Sequence, residues 1–195
     1  MKEKFISLLR STNREGVEKV IEWLETSGFF EAPASTVFHG NHAGGLAEHS
    51  YQVALVANDL REMLVKRQPG LANQITRESV IICGLLHDVC KAEIYKKEEK
   101  FRKDKNGNWE KYYGYGVDYS GLPLGHGEKS VVRLLRLGLE MTEEEMLAIR
   151  WHMGAWNLPM NDSEAKGNIN AAREKSPLVT LIMTADDLAS HIFRV

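Results

Sequence analysis

Seven apolar or small residues, Val80-Ile81-Ile82-Cys83-Gly84-Leu85-Leu86, run directly into His87-Asp88. No other stretch constrains the fold as much. An unbroken run of this kind reads as a buried segment, and Thr76 offers an N-cap for a helix over it. Carrying an imidazole and a carboxylate inside costs on the order of several kcal/mol unless they pair or bind a metal. The fold must therefore bring partners to the end of that helix. His49, His126, His152 and Asp186 are the candidates, each at the edge of its own apolar helical pattern.

The rest of the chain is mostly helical in period. Phe5, Leu8 and Leu9, then Val17, Val20, Ile21 and Leu24, recur at helical spacing up to Ser27-Gly28. Residues 29–45 are irregular and rich in Pro, Gly, Ser and His. A long helix is expected from about Leu46 to Arg67, with Val53, Val56, Leu60 and Leu64 inward and Pro69-Gly70 after it. Thr142 and Glu145 form a capping box for the helix that reaches His152. Pro177 suits the first turn of a last helix, Leu178 to Phe193. Residues 94–119 differ, being charged and aromatic without a helical stripe. Asp104-Lys105-Asn106-Gly107-Asn108 is a turn signal there, so a β-hairpin is expected over about residues 98–118. The fold class is all-α with this small inserted hairpin.

Composition narrows the function. The 195 residues suit one domain, and 43% hydrophobic with 27% charged residues is ordinary for a globular chain. A net charge of -2 supplies no global basic field for nucleic acid. Cys83 and Cys90 make neither a disulfide framework nor a zinc Cys-x-x-Cys pattern, which fits a reducing compartment. The N-terminus lacks the apolar core of a signal peptide, and no apolar run approaches the ~20 residues of a membrane span. The chain is read as cytoplasmic, with no membrane partner; its oligomeric state is left open.

Four His and two Asp without Cys suit divalent Mn, Fe, Co, Ni, Zn or Mg, and argue against a structural zinc site. Ligands spread over five helices facing one axis are how bundles build such centres. Two ions would outweigh the two Asp charges and leave a surplus that suits a phosphate ester. A pair ~3.5–4 Å apart can hold a hydroxide nucleophile, so no Ser or Cys nucleophile is needed.

The order His49, His87-Asp88, His126, His152, Asp186 resembles the HD-domain superfamily of metal-dependent phosphohydrolases. Gly44-Gly45-Leu46-Ala47-Glu48-His49 is similar to that family's Gly-Gly-Leu-x-Glu-His helix start. Leu85-Leu86-His87-Asp88-Val89-Cys90-Lys91 is similar to its Leu-Leu-His-Asp-Ile-Gly-Lys, with Cys90 where Gly is usual. Gly125-His126 and Ala185-Asp186-Asp187-Leu188 match two further blocks. The resemblance implies a helical bundle in which residues 33–193 form the core and residues 1–30 add N-terminal helices to a single domain. It implies a first metal on His49, His87, Asp88 and Asp186, and a second on His126 and His152 with Asp88 bridging. Asp88 and Lys91 are the implied catalytic residues, Lys91 touching the phosphate or the nucleophile. The implied activity is hydrolysis of a phosphate ester, a nucleotide by expectation, through metal-bound hydroxide. A 3′–5′ exonuclease-like phosphodiesterase on single-stranded nucleic acid and a non-catalytic nucleotide-binding signalling module are the alternatives; a nucleic-acid partner is not favoured.

His39, His42 and Lys129 are candidates for substrate contact, each weighed against an ordinary loop or surface role. Asp187 beside Asp186 is an exposed acid or a swapped ligand. His191 is read as structural. Tyr112, Tyr113, Tyr115 and Tyr119 either stack on a base or pack on the bundle. The walls of the pocket are expected from residues 33–45, the hairpin and a loop over residues 157–175.

Overall fold

The computed structural model describes residues 1–157 and 162–195. Helices α1 (Lys2–Arg10) and α2 (Val17–Thr26) turn Phe5, Leu9, Val20 and Leu24 into the same apolar core as the rest of the chain. Phe5, Phe29 and Phe30 meet edge to face there, with ring centroids 5.3–5.6 Å apart. That arrangement lets each ring edge meet the negative face of the next.

The central element is α3 (Gly45–Arg67), flanked by α4 (Arg77–Leu86) and α9 (Pro177–Leu188). Its start explains the Gly44-Gly45 pair. Gly44 has φ +85°, a left-handed conformation, and a Cβ on Gly45 would lie 2.0 Å from the Gly40 carbonyl oxygen. Thr76 accepts from the Ser79 amide to begin α4, whose residues from Ser79 to Leu86 are all buried. The helices α3 and α4 touch at Gly84, where an added Cβ would sit 2.6 Å from the Ala54 Cα.

A single turn, α5 (Lys91–Ile94), leads into the ribbon of β1 (Tyr95–Lys103) and β2 (Trp109–Val117). The strands pair antiparallel from Tyr95↔Val117 to Lys103↔Trp109. Asp104 closes the turn by accepting from the Asn106 and Asn108 amides at 2.8 and 2.9 Å. The ribbon thus begins three residues before the expected Glu98, because Tyr95 and Val117 continue the ladder to its foot.

Next come α6 (His126–Arg136) and α7 (Glu143–Arg150), packed on each other. The expected capping box is present: Thr142 accepts from the Glu145 amide, and Glu145 accepts from the Thr142 amide. Glu145 does more than cap. Fully buried, it takes both Arg14 guanidinium nitrogens at 2.8 Å and the Ser79 hydroxyl at 2.7 Å. A buried carboxylate satisfied on every side fixes the loop after α1, α4 and α7 to one another.

Two expectations are corrected. The loop expected over 157–175 contains helix α8 (Ser163–Lys175), N-capped by Asp162. Gly167 and Asn168 weaken its helix propensity, and Ile169 and Ala172 are its only fully buried side chains, so the stripe is faint. Residues 158–161 of that stretch lie outside the described residues. The last helix ends at Leu188, not Phe193, and continues as a π-helical turn, Ala189–Phe193. No helix among the described residues is long and apolar enough to cross a membrane.

Candidate metal centre

Six donors from five separate elements converge at the junction of α3, α4, α6, α7 and α9. His49 lies in the second turn of α3. His87 caps the C-terminus of α4, and Asp88 follows it. His126 is the first residue of α6, His152 follows the end of α7, and Asp186 sits in the last turn of α9. His49, His87, Asp88 and His152 are all at most 2% exposed, whereas the His126 side chain, at 19%, is the most open of the set.

Main-chain carbonyls hold three of the rings. His87 Nδ1 donates to Gly84 at 3.0 Å, His152 Nδ1 to Ile149 at 2.7 Å and His49 Nδ1 to Val195 at 2.9 Å. A ring nitrogen at that distance from a carbonyl carries the proton, which leaves each Nε2 as a bare lone pair. Yet His49 Nε2 and His87 Nε2 are 3.3 Å apart, and His126 Nε2 and His152 Nε2 are 3.2 Å apart. The facing lone pairs of His49 and His87 repel at that distance unless a cation lies between them.

Asp88 stands between the two pairs. Its Oδ2 is 3.3 Å from His87 Nε2 and 4.0 Å from His49 Nε2. Its Oδ1 is 3.5 Å from His152 Nε2 and 3.7 Å from His126 Nε2. Oδ1 is buried without a hydrogen bond, as a coordinating oxygen awaiting an ion would be. Asp186 Oδ1 completes the first side, 3.1 Å from His49 Nε2 and 3.9 Å from His87 Nε2. His49, His87 and Asp88 are close enough to share one ion, and Asp88, His126 and His152 another. His87, His152 and Asp186 form a third overlapping group, and together the residues fit divalent metal binding.

The electrostatics agree. Burial opposes ionisation of Asp88, but Lys91 and His87 hold its carboxyl well below the usual range. Asp186 is likewise held low against its burial by His49 and the surrounding imidazoles. Burial lowers His87 and pushes His126 down to about 3, so both keep their lone pairs. His152 goes the other way: burial would lower it, but the Asp88 and Asp186 charges outweigh that and raise it. Lys91 Nζ lies 2.5 Å from Asp88 Oδ2. Burial disfavours its charge, yet Asp88 and Tyr95 hold it above its ordinary value, so it remains an ammonium.

The other candidates separate. His39 stacks 4.9 Å from the His49 ring, with its Nε2 3.3 Å from the Ser190 hydroxyl; burial and the neighbouring His49 push it down to about 4. His42 is exposed, with its Nε2 3.5 Å from the Glu48 carboxylate. Asp187 pairs with His191 at the surface, leaving Asp186 inside. Lys129, one turn beyond His126, lines a different cavity beside Glu93 and Arg133. Cys90 has ordinary right-handed backbone, so the turn does not need glycine. Its thiol, pushed up to about 12 chiefly by burial, donates to the His126 carbonyl at 3.2 Å and ties the His-Asp turn to α6. The three carbonyls that orient the rings escaped the sequence reading. Gly84 and Ile149 each precede their His by three residues, a spacing that could have signalled them; nothing in the sequence signals Val195.

The sequence pattern of the HD domain matches residues 46–190, about three quarters of the chain. A dihydroneopterin 2′,3′-cyclic phosphate phosphodiesterase of Methanocaldococcus jannaschii is 29% identical over 94 residues, covering 48% of this chain and 34% of that protein. The chain thus matches only about a third of the length of this curated relative. No solved structure matches. The chain belongs to the HD-domain family.

Proposed function

We propose that this HD-domain chain is a metal-dependent phosphohydrolase whose two ion positions share Asp88. The observation that carries the reading is the division of the Asp88 carboxylate, one oxygen toward His49 and His87, the other toward His126 and His152. His49, His87, Asp88 and Asp186 would hold one ion; Asp88, His126 and His152 would hold the other. Such ions, when bound, supply Lewis acidity toward phosphoryl oxygens and a water activated at neutral pH.

The remaining chemistry belongs to the protein. The Nδ1 bonds to Gly84, Ile149 and Val195 fix the rings before any substrate arrives, so little reorganisation is needed during reaction. Lys91 carries a buried positive charge that can stabilise a phosphoryl oxygen gaining negative charge. His39, neutral and half-buried at the rim, offers a hydrogen bond to the ester without adding charge. The substrate class we favour is a small phosphate ester related to nucleotides, in line with the cyclic phosphate named for the relative.

One observation favours a second reading, phosphodiester cleavage in single-stranded nucleic acid. The ribbon carries seven Lys and Arg against four Asp and Glu, and exposes Phe101, Trp109 and Tyr113 on one face. Aromatics between cations are a stacking platform for unpaired bases. Metal analysis followed by a turnover screen over cyclic phosphates, nucleotides and oligonucleotides tests both. Steep loss of binding with salt marks the second reading. Full activity in metal-free Asp88→Ala protein would sink the first.

A further inference from the structure

The foot of the ribbon meets the His-Asp cluster at Tyr95, and three main-chain hydrogen bonds fix that junction. The Lys91 amide donates to the Asp88 carbonyl at 2.9 Å, the Tyr95 amide to the Lys91 carbonyl, and the Asp118 amide to the Ile94 carbonyl at 2.7 Å. Tyr95 also makes the first rung of the ladder, with Val117. It therefore lies one turn beyond Lys91, a spacing that makes side chains neighbours, and the ladder holds it there. The residue is half-buried. Its phenol stands among Lys91, Asp88, Cys90 and Tyr119. Burial raises its pKa, the Lys91 charge opposes that, and the other three add to the rise, so the hydroxyl keeps its proton.

That hydroxyl makes no hydrogen bond among the described residues, and it is not one of the buried polar atoms left without a partner, so it reaches solvent. Packing alone would be served as well by phenylalanine. Lys91, by contrast, is buried and engaged by Asp88 at 2.5 Å. The pair thus sets a fixed ammonium beside a free O–H donor at the edge of the cluster. We propose that Tyr95 is a substrate-contacting residue, whose hydroxyl donates a hydrogen bond to a phosphoryl oxygen of the bound ester. The assignment rests on the phosphohydrolase reading, since it takes the phosphoryl group to sit at Asp88 and Lys91. A neutral donor gains strength as that oxygen gains negative charge, and it adds no charge of its own. The ribbon then has a part in the site through its foot, because its first rung holds the donor in place.

The test compares the parent with Tyr95→Phe, which removes one oxygen and keeps the ring. Manganese-loaded protein is titrated calorimetrically with inorganic phosphate, so that binding is read without turnover. Tyr95→Phe should bind phosphate about tenfold more weakly, as loss of a hydrogen bond to a charged group implies. Its metal content and melting temperature should match the parent, because the lost oxygen bonds nothing in the fold. With the ester cleaved fastest in the turnover screen, kcat/KM should fall at least as far. A ring that only packs would leave phosphate affinity and kcat/KM unchanged. Equal phosphate affinity in the two proteins overturns the proposal, as does a parent that binds no phosphate. A fall in metal content or melting temperature in Tyr95→Phe assigns the loss to structure and overturns it too. A parent that binds phosphate through Tyr95 yet cleaves no ester upholds the contact and sinks the hydrolysis instead.

Discussion

In the His-Asp cluster, four imidazoles, two carboxylates and one ammonium from separate elements are folded against one another out of water. In the ribbon, eleven charged side chains from one hairpin lie at the surface, four of them paired across the strands, Arg102 with Glu110 at 2.5 Å and Lys111 with Glu99. The residue chemistry is similar and the energetics are not. Charges out of water must be matched or they cost several-fold more than solvated ones, so each cluster residue depends on the others. Solvated pairs are screened and nearly independent. The cluster is a cooperative unit, the ribbon a set of separable contacts.

The sharpest way to break that contrast is Asp88→Asn. We expect both ions to be lost and turnover to fall roughly 10³-fold or more, read by metal analysis and steady-state kinetics. His152→Gln should be more selective, removing one ion per chain while the His49 side keeps its own. Metal stoichiometry checks it, and loss of both ions together would mean the two positions are not separable.

Glu145→Ala asks whether buried matching matters away from the metals. It strips Arg14 and Ser79 of their acceptor, and should cost about 3 kcal/mol in urea unfolding with metal content retained. Acid should discriminate the two regions as well. His39, His87 and His126 have folded values below the free imidazole, so the unfolded chain binds protons first as pH falls. Their stabilisation is whole above about pH 6.5 and drains as pH drops toward the folded values. His152, raised, opposes this alone. Chelator-treated protein should therefore lose urea stability between pH 7 and 5. The smallest effect belongs to the ribbon: Glu99→Gln should move stability by no more than about 0.5 kcal/mol, measured the same way.

Legibility in the sequence follows the same division. That the six His and Asp side chains come together was legible because each stands at the edge of an apolar helical pattern, where a polar side chain is costly without partners. Glu145 was legible as a cap of α7, but Arg14, more than a hundred residues away, was not, since nothing local marks a long-range ion pair. Lys129 was read from its distance to His126 along α6; it faces the neighbouring cavity, which only packing reveals. Helix α8 stayed hidden because two buried side chains and a central glycine leave almost no periodic signal. The Val195 carbonyl that holds His49 is a main-chain atom, and main-chain roles leave no residue-type trace.

Gly84 reaches further than its packing role. The absent side chain lets α4 rest on Ala54 of α3, and its carbonyl aims the His87 ring. Helix spacing and ring direction at that one position together define the gap between His49 and His87. A methyl group there would spread the donors and shift the preference toward cations of larger ionic radius. In the proposed centre, the choice among metals would thus rest partly on a residue that never meets one.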